Sequence, residues 1–250
     1  MTTTHPWLVI PKRRPTARVR LVCLPHAGGS ASFYRSWAQH LDTSIELQIV
    51  QYPGREERVN DPFVQDPAAL VDAVTGAVLH TAEPDVETVL FGHSMGSLIG
   101  YETVRALQAH DVRVDRLFVS GQAAPDERIG RPPAEALSDD RILHEVEQHG
   151  GTQMTVFDDP GIREMVLPIL RNDYLLIDSY SPVETPPVDT GIVAITGDRD
   201  VSVSVERVRR WEGVAGKEFQ LHVLPGGHFY LAEQRAQVIT LLHRYLLNEA

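Results

Sequence analysis

The chain has 250 residues, of which 42% are hydrophobic and 23% are charged, as is typical of globular proteins with an apolar core. A formal net charge of −11 at pH 7 disfavours nucleic-acid binding, because basic side chains must displace the counterions of the phosphate backbone. The one cysteine, Cys23, excludes an internal disulfide and cysteine-rich zinc sites. There is no run of about 18 apolar residues and no secretory signal pattern, so we expect a soluble, cytoplasmic protein without a membrane span.

Short apolar runs of the kind found in strands buried on both faces alternate with longer segments of helical pattern. The predicted strands are Val19–Leu24, Leu47–Val50, Thr88–Phe91, Arg116–Val119, Gly191–Thr196 and Phe219–Leu224. The predicted helices are Phe33–Leu41, Pro67–His80, Ser97–His110, Val203–Trp211 and Leu231–Leu247. This alternation indicates crossover connections. We therefore predict a single α/β domain over residues 1–250, with a mostly parallel central sheet flanked by helices.

The alternation is interrupted over residues 122–189, which separate the two parts of the predicted core at about 18–121 and 190–248. Helix signals occur there instead. Ser138 is a candidate N-cap, and Asp159 followed by Pro160 is a second helix start. We expect this segment to be a helical insertion on the sheet.

A candidate nucleophile follows the third predicted strand. Gly92-His93-Ser94-Met95-Gly96 matches the pattern G-x-S-x-G and lies between a strand and a helix, the context in which a serine occupies a sharp, exposed turn. A serine hydroxyl needs an adjacent base to act as a nucleophile. The alternative is a glycine-rich turn with an idle serine, and the strand-turn-helix context makes that alternative the less favoured one.

The base and its acid are expected after the last two strands. His228 follows the glycine pair Gly226-Gly227 at the end of the last strand, which makes it the candidate base. Asp198 and Asp200 both follow the preceding strand, and either one gives the chain order serine, acid, histidine that this fold uses. The spacing leaves the choice between these two aspartates open.

The negative charge that develops on a tetrahedral intermediate needs two N–H donors. The backbone of Met95, directly after the serine, is one candidate. The loop after the first predicted strand is the expected source of the other donor, with Ala27 preferred and Gly28 second. His26, His93 and His228 match no zinc-site spacing, so no metal is expected.

Five sequence blocks occur in a characteristic order. They are Pro25–Ser30 (PHAGGS), Tyr52–Glu56 (YPGRE), Gly92–Gly96 (GHSMG), Gly197–Asp200 (GDRD) and Gly226–Phe229 (GGHF). Together they resemble the type II thioesterases that accompany polyketide synthases and non-ribosomal peptide synthetases. The resemblance extends over about residues 18–246.

The resemblance implies an α/β-hydrolase fold with a helical lid between the sixth and seventh strands, and residues 122–189 take that place. It also assigns the acid to the second aspartate of its block, Asp200. The implied activity is hydrolysis of stalled or mis-primed acyl groups from the phosphopantetheine arm of an acyl or peptidyl carrier protein. This reaction proceeds through an acyl-Ser94 intermediate and needs no cofactor.

Five apolar lid residues are candidates for lining an acyl pocket, although packing of the lid on the core is the favoured role for most of them. They are Met154, Phe157, Met165, Val166 and Ile169. The basic segment Lys12–Arg20 contrasts with the acidic insertion, so this segment or scattered arginines are candidate docking sites for the carrier protein.

Three other functions are consistent with the same residues. A carboxylesterase or lipase, or an acyltransferase, would share the fold and the nucleophile. A non-catalytic module that binds carrier proteins is the third, although an intact set of catalytic residues argues against it. We expect a monomer, because no exposed apolar stripe is evident in the sequence.

Overall fold

The computed structural model describes residues 5–130, 138–150 and 154–247. Seven strands in these ranges form one sheet in the order β1-β3-β2-β4-β5-β6-β7. The strands are β1 Leu8–Val9, β2 Val19–Leu24, β3 Ile45–Val50, β4 Glu87–His93, β5 Arg116–Ser120, β6 Gly191–Gly197 and β7 Phe219–Leu224. β1 pairs antiparallel with β3, and the other neighbours are parallel.

Eight α-helices are described in the same ranges. They are α1 Ser32–Arg35, α2 Pro67–Thr81, α3 Met95–Ala109, α4 Asp139–His149, α5 Pro160–Ser179, α6 Val205–Arg209, α7 Tyr230–Glu233 and α8 Arg235–Leu246. Short 3-10 turns extend α1 over Ser36–Gln39 and α6 over Arg210–Val214. All six predicted strands and the α/β class are confirmed.

Two details of the elements differ from the sequence predictions. The two-residue β1 was not predicted, because an edge pair this short carries no periodic signal. The predicted helix Leu231–Leu247 is divided at Gln234 into α7 and α8.

The sheet separates two apolar layers, because successive side chains of a strand point to opposite faces. In β2, Val22 and Leu24 pack on one side with residues of α2 and α3. Leu21 and Cys23 pack on the other side with residues of α1 and α8. The parallel strands are therefore covered on both faces, which explains their nearly continuous apolar sequences.

The insertion contains α4 and α5 and connects β5 to β6. The resemblance implies a lid between the sixth and seventh strands. In the described ranges five strands precede the insertion, so it lies between the fifth and the sixth strand. Both predicted caps are present: Ser138 accepts a hydrogen bond from the Arg141 amide, and Asp159 accepts one from Gly161. Residues 131–137 and 151–153 of the insertion lie outside the described residues, as do 1–4 and 248–250.

The lid helices share a small apolar cluster of their own. It contains Ile142, Val146, Phe157, Leu167 and Leu170. The helix α5 continues through Pro168, which lies in its interior. None of the helices in the described ranges is long and apolar enough to cross a membrane.

Two arginines of the predicted docking segment form hydrogen bonds or an ion pair within the fold. The Arg14 guanidinium donates to the carbonyl oxygens of Ala38 at 2.7 Å and Ile45 at 2.8 Å, and so closes the turn before β3. Arg20 is buried in β2 and pairs with Glu83 at 3.1 Å. These side chains stabilise the connections at the amino-terminal edge of the sheet.

Replacing Gly96 with alanine is expected to destabilise the fold, because the added Cβ would lie 2.1 Å from the Leu24 carbonyl oxygen. A backbone atom cannot move aside cheaply, so we expect a loss of about 1–3 kcal/mol of unfolding free energy or more in urea denaturation. Gly76→Ala is the matched control. Gly76 lies in α2 with open space around its Cα, so alanine there should add about 0.4–1 kcal/mol. Equal stability of the two variants would contradict the close approach of α3 to β2.

Candidate active site

Ser94 occupies the turn between β4 and α3 with φ 53° and ψ −121°, a conformation that is uncommon for a residue other than glycine. The glycines on either side make this turn possible. A Cβ on Gly92 would lie 2.1 Å from the Gly96 carbonyl oxygen. The predicted exposed turn is therefore present, with the serine side chain at the carboxyl edge of the sheet.

Hydrogen bonds from the neighbouring strand hold this turn. The Ser94 amide donates to the Ser120 carbonyl oxygen at 2.8 Å. The Ser97 hydroxyl donates to the Gly92 carbonyl oxygen at 2.9 Å and accepts from the Ser120 amide at 3.1 Å. Because these groups are backbone atoms or fully buried hydroxyls, the position of Ser94 is fixed by the fold.

His228 follows β7, and its buried ring faces Asp200, which follows β6. Its Nδ1 lies 2.8 Å from Asp200 Oδ2. The other Asp200 oxygen accepts hydrogen bonds from the Ser202 amide at 2.9 Å and the Ser202 hydroxyl at 2.6 Å. Burial raises the pKa of Asp200, but the hydrogen bonds from His228 and Ser202 outweigh it and hold this pKa below its ordinary value.

Asp198, the other candidate acid, has a different role. Its side chain is 51% exposed, and Oδ1 accepts a hydrogen bond from the Gly226 amide at 2.8 Å. It stabilises the turn that precedes His228. The structure thus brings Asp200, and not Asp198, against the histidine.

Ser94 and His228 both line one cavity of about 460 Å³ at the carboxyl edge of the sheet. The hydrogen bonds found among the described residues do not include one between the two side chains. Such bonds are commonly long in unliganded enzymes. Since Nδ1 of His228 faces Asp200, Nε2 is the ring nitrogen available to the serine.

The two preferred backbone donors lie in the same cavity lining. The amides of Met95 and Ala27 have no hydrogen-bond acceptor in the described part of the chain. The amide of Gly28, the second choice from sequence, donates to Asp173 Oδ2 at 2.8 Å and is already used. The geometry therefore favours Ala27 over Gly28.

The cavity continues under the lid, where one side of α5 lines it. This side is formed by Ile162, Val166, Leu170, Tyr174 and Ile177, whose spacing of three or four residues keeps them on one face. Of the five residues predicted to line an acyl pocket, Phe157 and Val166 lie in the lining.

The other three lie outside the lining. Met165 is 60% exposed, Ile169 is buried elsewhere, and Met154 packs within the lid cluster. Met165 and Ile169 each precede a lining residue by one position, which is a rotation of about 100° on a helix. The apolar composition correctly identified α5 as a helix that lines the cavity, but it did not identify which face of α5 does so.

Three imidazole rings lie near the base, His228. The ring centroids of His149 and His93 lie 4.5 Å and 5.0 Å from that of His228, and His26 lies 5.7 Å from His93. Burial and the neighbouring imidazoles lower the pKa of His26 to about 3 and that of His149 to about 4, and the pKa of His93 is also well below its ordinary value. These rings are therefore neutral near pH 7. Across the described residues, no group of three or more His, Cys, Asp or Glu side chains is arranged to hold a metal ion.

Sequence reasoning missed the polar partners of the site. Asp173 lies on α5 and Arg55 in the YPGRE block, and the two side chains pair in the interior at 2.7 Å. The sequence held one signal for Asp173. It continues the buried stripe of α5 three residues after Leu170, and an acid at such a position needs a partner.

The docking segment predicted at Lys12–Arg20 lies far from this cavity. Its residues precede β2 or lie at the start of that strand, whereas the cavity is beyond the end of β2. Six residues of strand at about 3.3 Å each separate the two by about 20 Å. This distance does not decide where the carrier protein docks, because the acyl group is presented on a long phosphopantetheine arm, so docking at Lys12–Arg20 stays a prediction.

Comparison with known proteins gives consistent matches. Residues 19–246 match the family model described as a thioesterase domain. The thioesterase PikA5 of Streptomyces venezuelae is 35% identical over 237 residues, which cover 93% of this chain and 83% of that protein. The gramicidin S biosynthesis protein GrsT of Aneurinibacillus migulanus is 30% identical, covering 96% and 93%.

Solved structures agree with the sequence matches. The type II thioesterase BorB from the borrelidin biosynthetic cluster superposes with a TM-score of 0.86 at 30% identity, covering 98% of this chain and 100% of that one. The type II thioesterase YbtT from the yersiniabactin pathway gives a TM-score of 0.84 at 26% identity, covering 96% of this chain and 97% of that one. The chain belongs to the thioesterase family of the α/β-hydrolase fold.

The buried neutral imidazoles predict how stability depends on pH. In the unfolded chain a histidine has a pKa near 6.5, so between about pH 6.5 and 4 the unfolded state binds more protons than the folded state. The free energy of unfolding should therefore fall as the pH is lowered, by at least about 1 kcal/mol from pH 6.5 to 5 in urea denaturation. Asp200 does not contribute in this window, because its lowered pKa acts only near and below its ordinary value of 3.8.

His149→Gln is the informative variant for this prediction, since glutamine does not titrate and His149 lies at the end of α4. Its stability should depend less steeply on pH than that of the wild type. A wild-type free energy that stays constant from pH 7 to pH 5 would contradict the neutral cluster.

Proposed function

We propose that this chain is a type II thioesterase that releases stalled or mis-primed acyl groups from the phosphopantetheine arm of carrier proteins of a polyketide synthase or non-ribosomal peptide synthetase. The observation that carries the proposal is the convergence of Ser94, the His228–Asp200 pair and two unused amides on one cavity. The matches to type II thioesterases of such pathways over nearly the whole chain support the substrate class.

In the proposed reaction, His228 Nε2 takes the hydroxyl proton of Ser94 as Oγ attacks the thioester carbonyl. The C–S bond then breaks, the proton passes from His228 to the departing pantetheine sulfur, and an acyl-Ser94 ester remains. His228 next takes a proton from water, whose oxygen attacks the ester, and returns the proton to Ser94 as the free acid leaves. Every proton is handled by His228, so the proposed mechanism requires no cofactor of the chain itself.

Asp200 has the role of orienting the ring in this mechanism. Its hydrogen bond to Nδ1 keeps Nε2 directed at the serine and stabilises the imidazolium that forms. The Met95 and Ala27 amides would donate to the oxyanion of each tetrahedral intermediate, and losing one such donor costs about 2.7–4 kcal/mol. The apolar side of α5 and Phe157 would receive the acyl chain.

The proposal predicts a strong preference for substrates on a carrier protein. One acyl group is presented on a carrier protein, on free pantetheine and as a simple oxyester, and kcat/KM is measured for each. We expect the highest value on the carrier protein, because docking contributes binding energy that the smaller substrates lack. Ser94→Ala should abolish turnover of all three.

The other outcomes of this comparison identify the alternatives. Equal or faster hydrolysis of the oxyester would indicate a general esterase or lipase. Transfer of the acyl group to an added alcohol or amine, seen by product analysis, would indicate an acyltransferase. No turnover of any substrate by folded wild-type protein would leave the non-catalytic binding module.

Asn substitutions at the two aspartates separate their roles. Asp200→Asn should lower kcat by about 10³- to 10⁴-fold, because asparagine cannot hold the tautomer of His228 that exposes an unprotonated Nε2. Asp198→Asn is the matched control and should change kcat by less than about fivefold, since its oxygen can still accept from Gly226. Comparable losses in the two variants would contradict the assignment of Asp200.

A further inference from the structure

A buried ion pair connects the lid to the loop that carries Ala27. Arg55 donates to Asp173 through Nη1 at 2.7 Å and through Nη2 at 2.9 Å, a two-point contact. Both side chains are at least 96% buried. Arg55 lies after β3 and Asp173 lies in the second half of α5, so the pair joins two distant parts of the chain.

Each partner of the pair also binds the backbone of the loop Pro25–Ser30. Asp173 Oδ2 accepts the Gly28 amide proton at 2.8 Å, and Arg55 Nη1 donates to the Gly29 carbonyl oxygen at 3.0 Å. The lid also contacts the loop by packing, since a Cβ on Gly28 would lie 2.5 Å from Leu170 Cδ2. Leu170 and Asp173 are three residues apart and share one side of α5.

The remaining loop contacts orient the peptide group between His26 and Ala27. The Gly29 amide donates to the His26 carbonyl oxygen at 2.9 Å. In a trans peptide the following N–H points away from that carbonyl, so the bond fixes the direction of the Ala27 N–H. The Tyr52 hydroxyl holds the preceding carbonyl, that of Pro25, at 3.2 Å. Of the amides from Ala27 to Gly29, those of Gly28 and Gly29 are used within the protein, and Ala27 lines the cavity.

We propose that Arg55 and Asp173 are positioning residues of the oxyanion hole, which hold the loop so that the Ala27 N–H stays directed into the cavity. This inference rests on the proposed role of Ala27 as an oxyanion donor. It adds that the lid supplies part of the catalytic geometry through α5, and that correct seating of α5 is a condition for the oxyanion hole to form.

A purely structural role for the pair is the competing explanation. Buried ion pairs are weak contributors to stability, and well-packed apolar residues often replace them without loss. Apolar residues would hold the lid on the core equally well, but they cannot bind the Gly28 amide and the Gly29 carbonyl oxygen. The hydrogen bonds that the pair directs at the loop are what distinguish positioning from packing.

The test uses the double variant Arg55→Met/Asp173→Leu, which removes both charges together with the hydrogen bonds to Gly28 and Gly29 and leaves no buried charge unpaired. The matched control is Arg171→Met/Asp139→Leu, which removes a neighbouring pair between α5 and α4 that does not contact the loop. We expect the first double variant to lower kcat by about 10- to 100-fold with KM within about threefold. The control should stay within about twofold of the wild type.

The second measurement reports on the oxyanion hole itself. Ser94 Oγ adds to the carbonyl carbon of an alkyl trifluoromethyl ketone and forms a tetrahedral hemiketal. The former carbonyl oxygen of the ketone then occupies the place of the oxyanion. Its ionisation is followed by the pH dependence of the ¹⁹F resonance. Loosening the Ala27 donor should move the ionisation midpoint about one to two pH units higher, in proportion to the loss in kcat.

The outcomes separate this inference from the proposed function. A wild-type protein that forms no hemiketal would refute the serine mechanism. A wild-type hemiketal with an unchanged midpoint and unchanged kcat in the folded double variant would refute the positioning role. If that variant does not fold, Arg55→Lys keeps the charge but loses the two-point contact. It should then give a smaller loss of kcat and a smaller rise of the midpoint, and wild-type values for both would equally refute the role.

Discussion

The site depends on a direct contact between backbones. The helix α3 approaches β2 so closely at Gly96 that a Cβ there would lie 2.1 Å from the Leu24 carbonyl oxygen and 2.9 Å from that of Pro25. No side chain separates the turn at Ser94 from the loop that follows β2. The Met95 and Ala27 amides consequently line the same cavity, although they are 68 positions apart in the sequence.

The parallel sheet supplies the other half of the arrangement. β6 and β7 are neighbours, and their carboxyl ends place Asp200 and His228 side by side near the turn after β4. Burial keeps the three surrounding imidazoles neutral, so these rings add no positive charge beside His228.

The sequence allowed prediction of the features that depend on local pattern. Strands buried on both faces appear as apolar runs, and the Ser94 turn appears as glycines between a strand and a helix. Spacing left Asp198 and Asp200 equivalent, because both lie after β6 and only the turn geometry separates them. Resemblance to the family favoured Asp200, the aspartate that the structure brings to His228.

Features that depend on distant contacts could not be predicted. Arg55 and Asp173 are separated by 118 positions, so neither residue identifies the other in a single sequence. Residues of α5 were chosen by composition, and the phase of the helix decided that Val166 but not Met165 faces the cavity. The local excess of basic residues suggested Lys12–Arg20 as a docking surface, which stays a prediction, but the sequence did not show that Arg14 and Arg20 make contacts within the fold.

In the proposed mechanism, Ser94 carries the acyl group between the two halves of the reaction. The most direct measurement is intact-protein mass spectrometry of samples acid-quenched within milliseconds of mixing with an acyl-carrier thioester, followed by peptide mapping. We expect a transient mass increase equal to the acyl group less one hydrogen, located on Ser94 and absent from Ser94→Ala. Hydrolysis without any covalent adduct, or with an adduct on another residue, would contradict it.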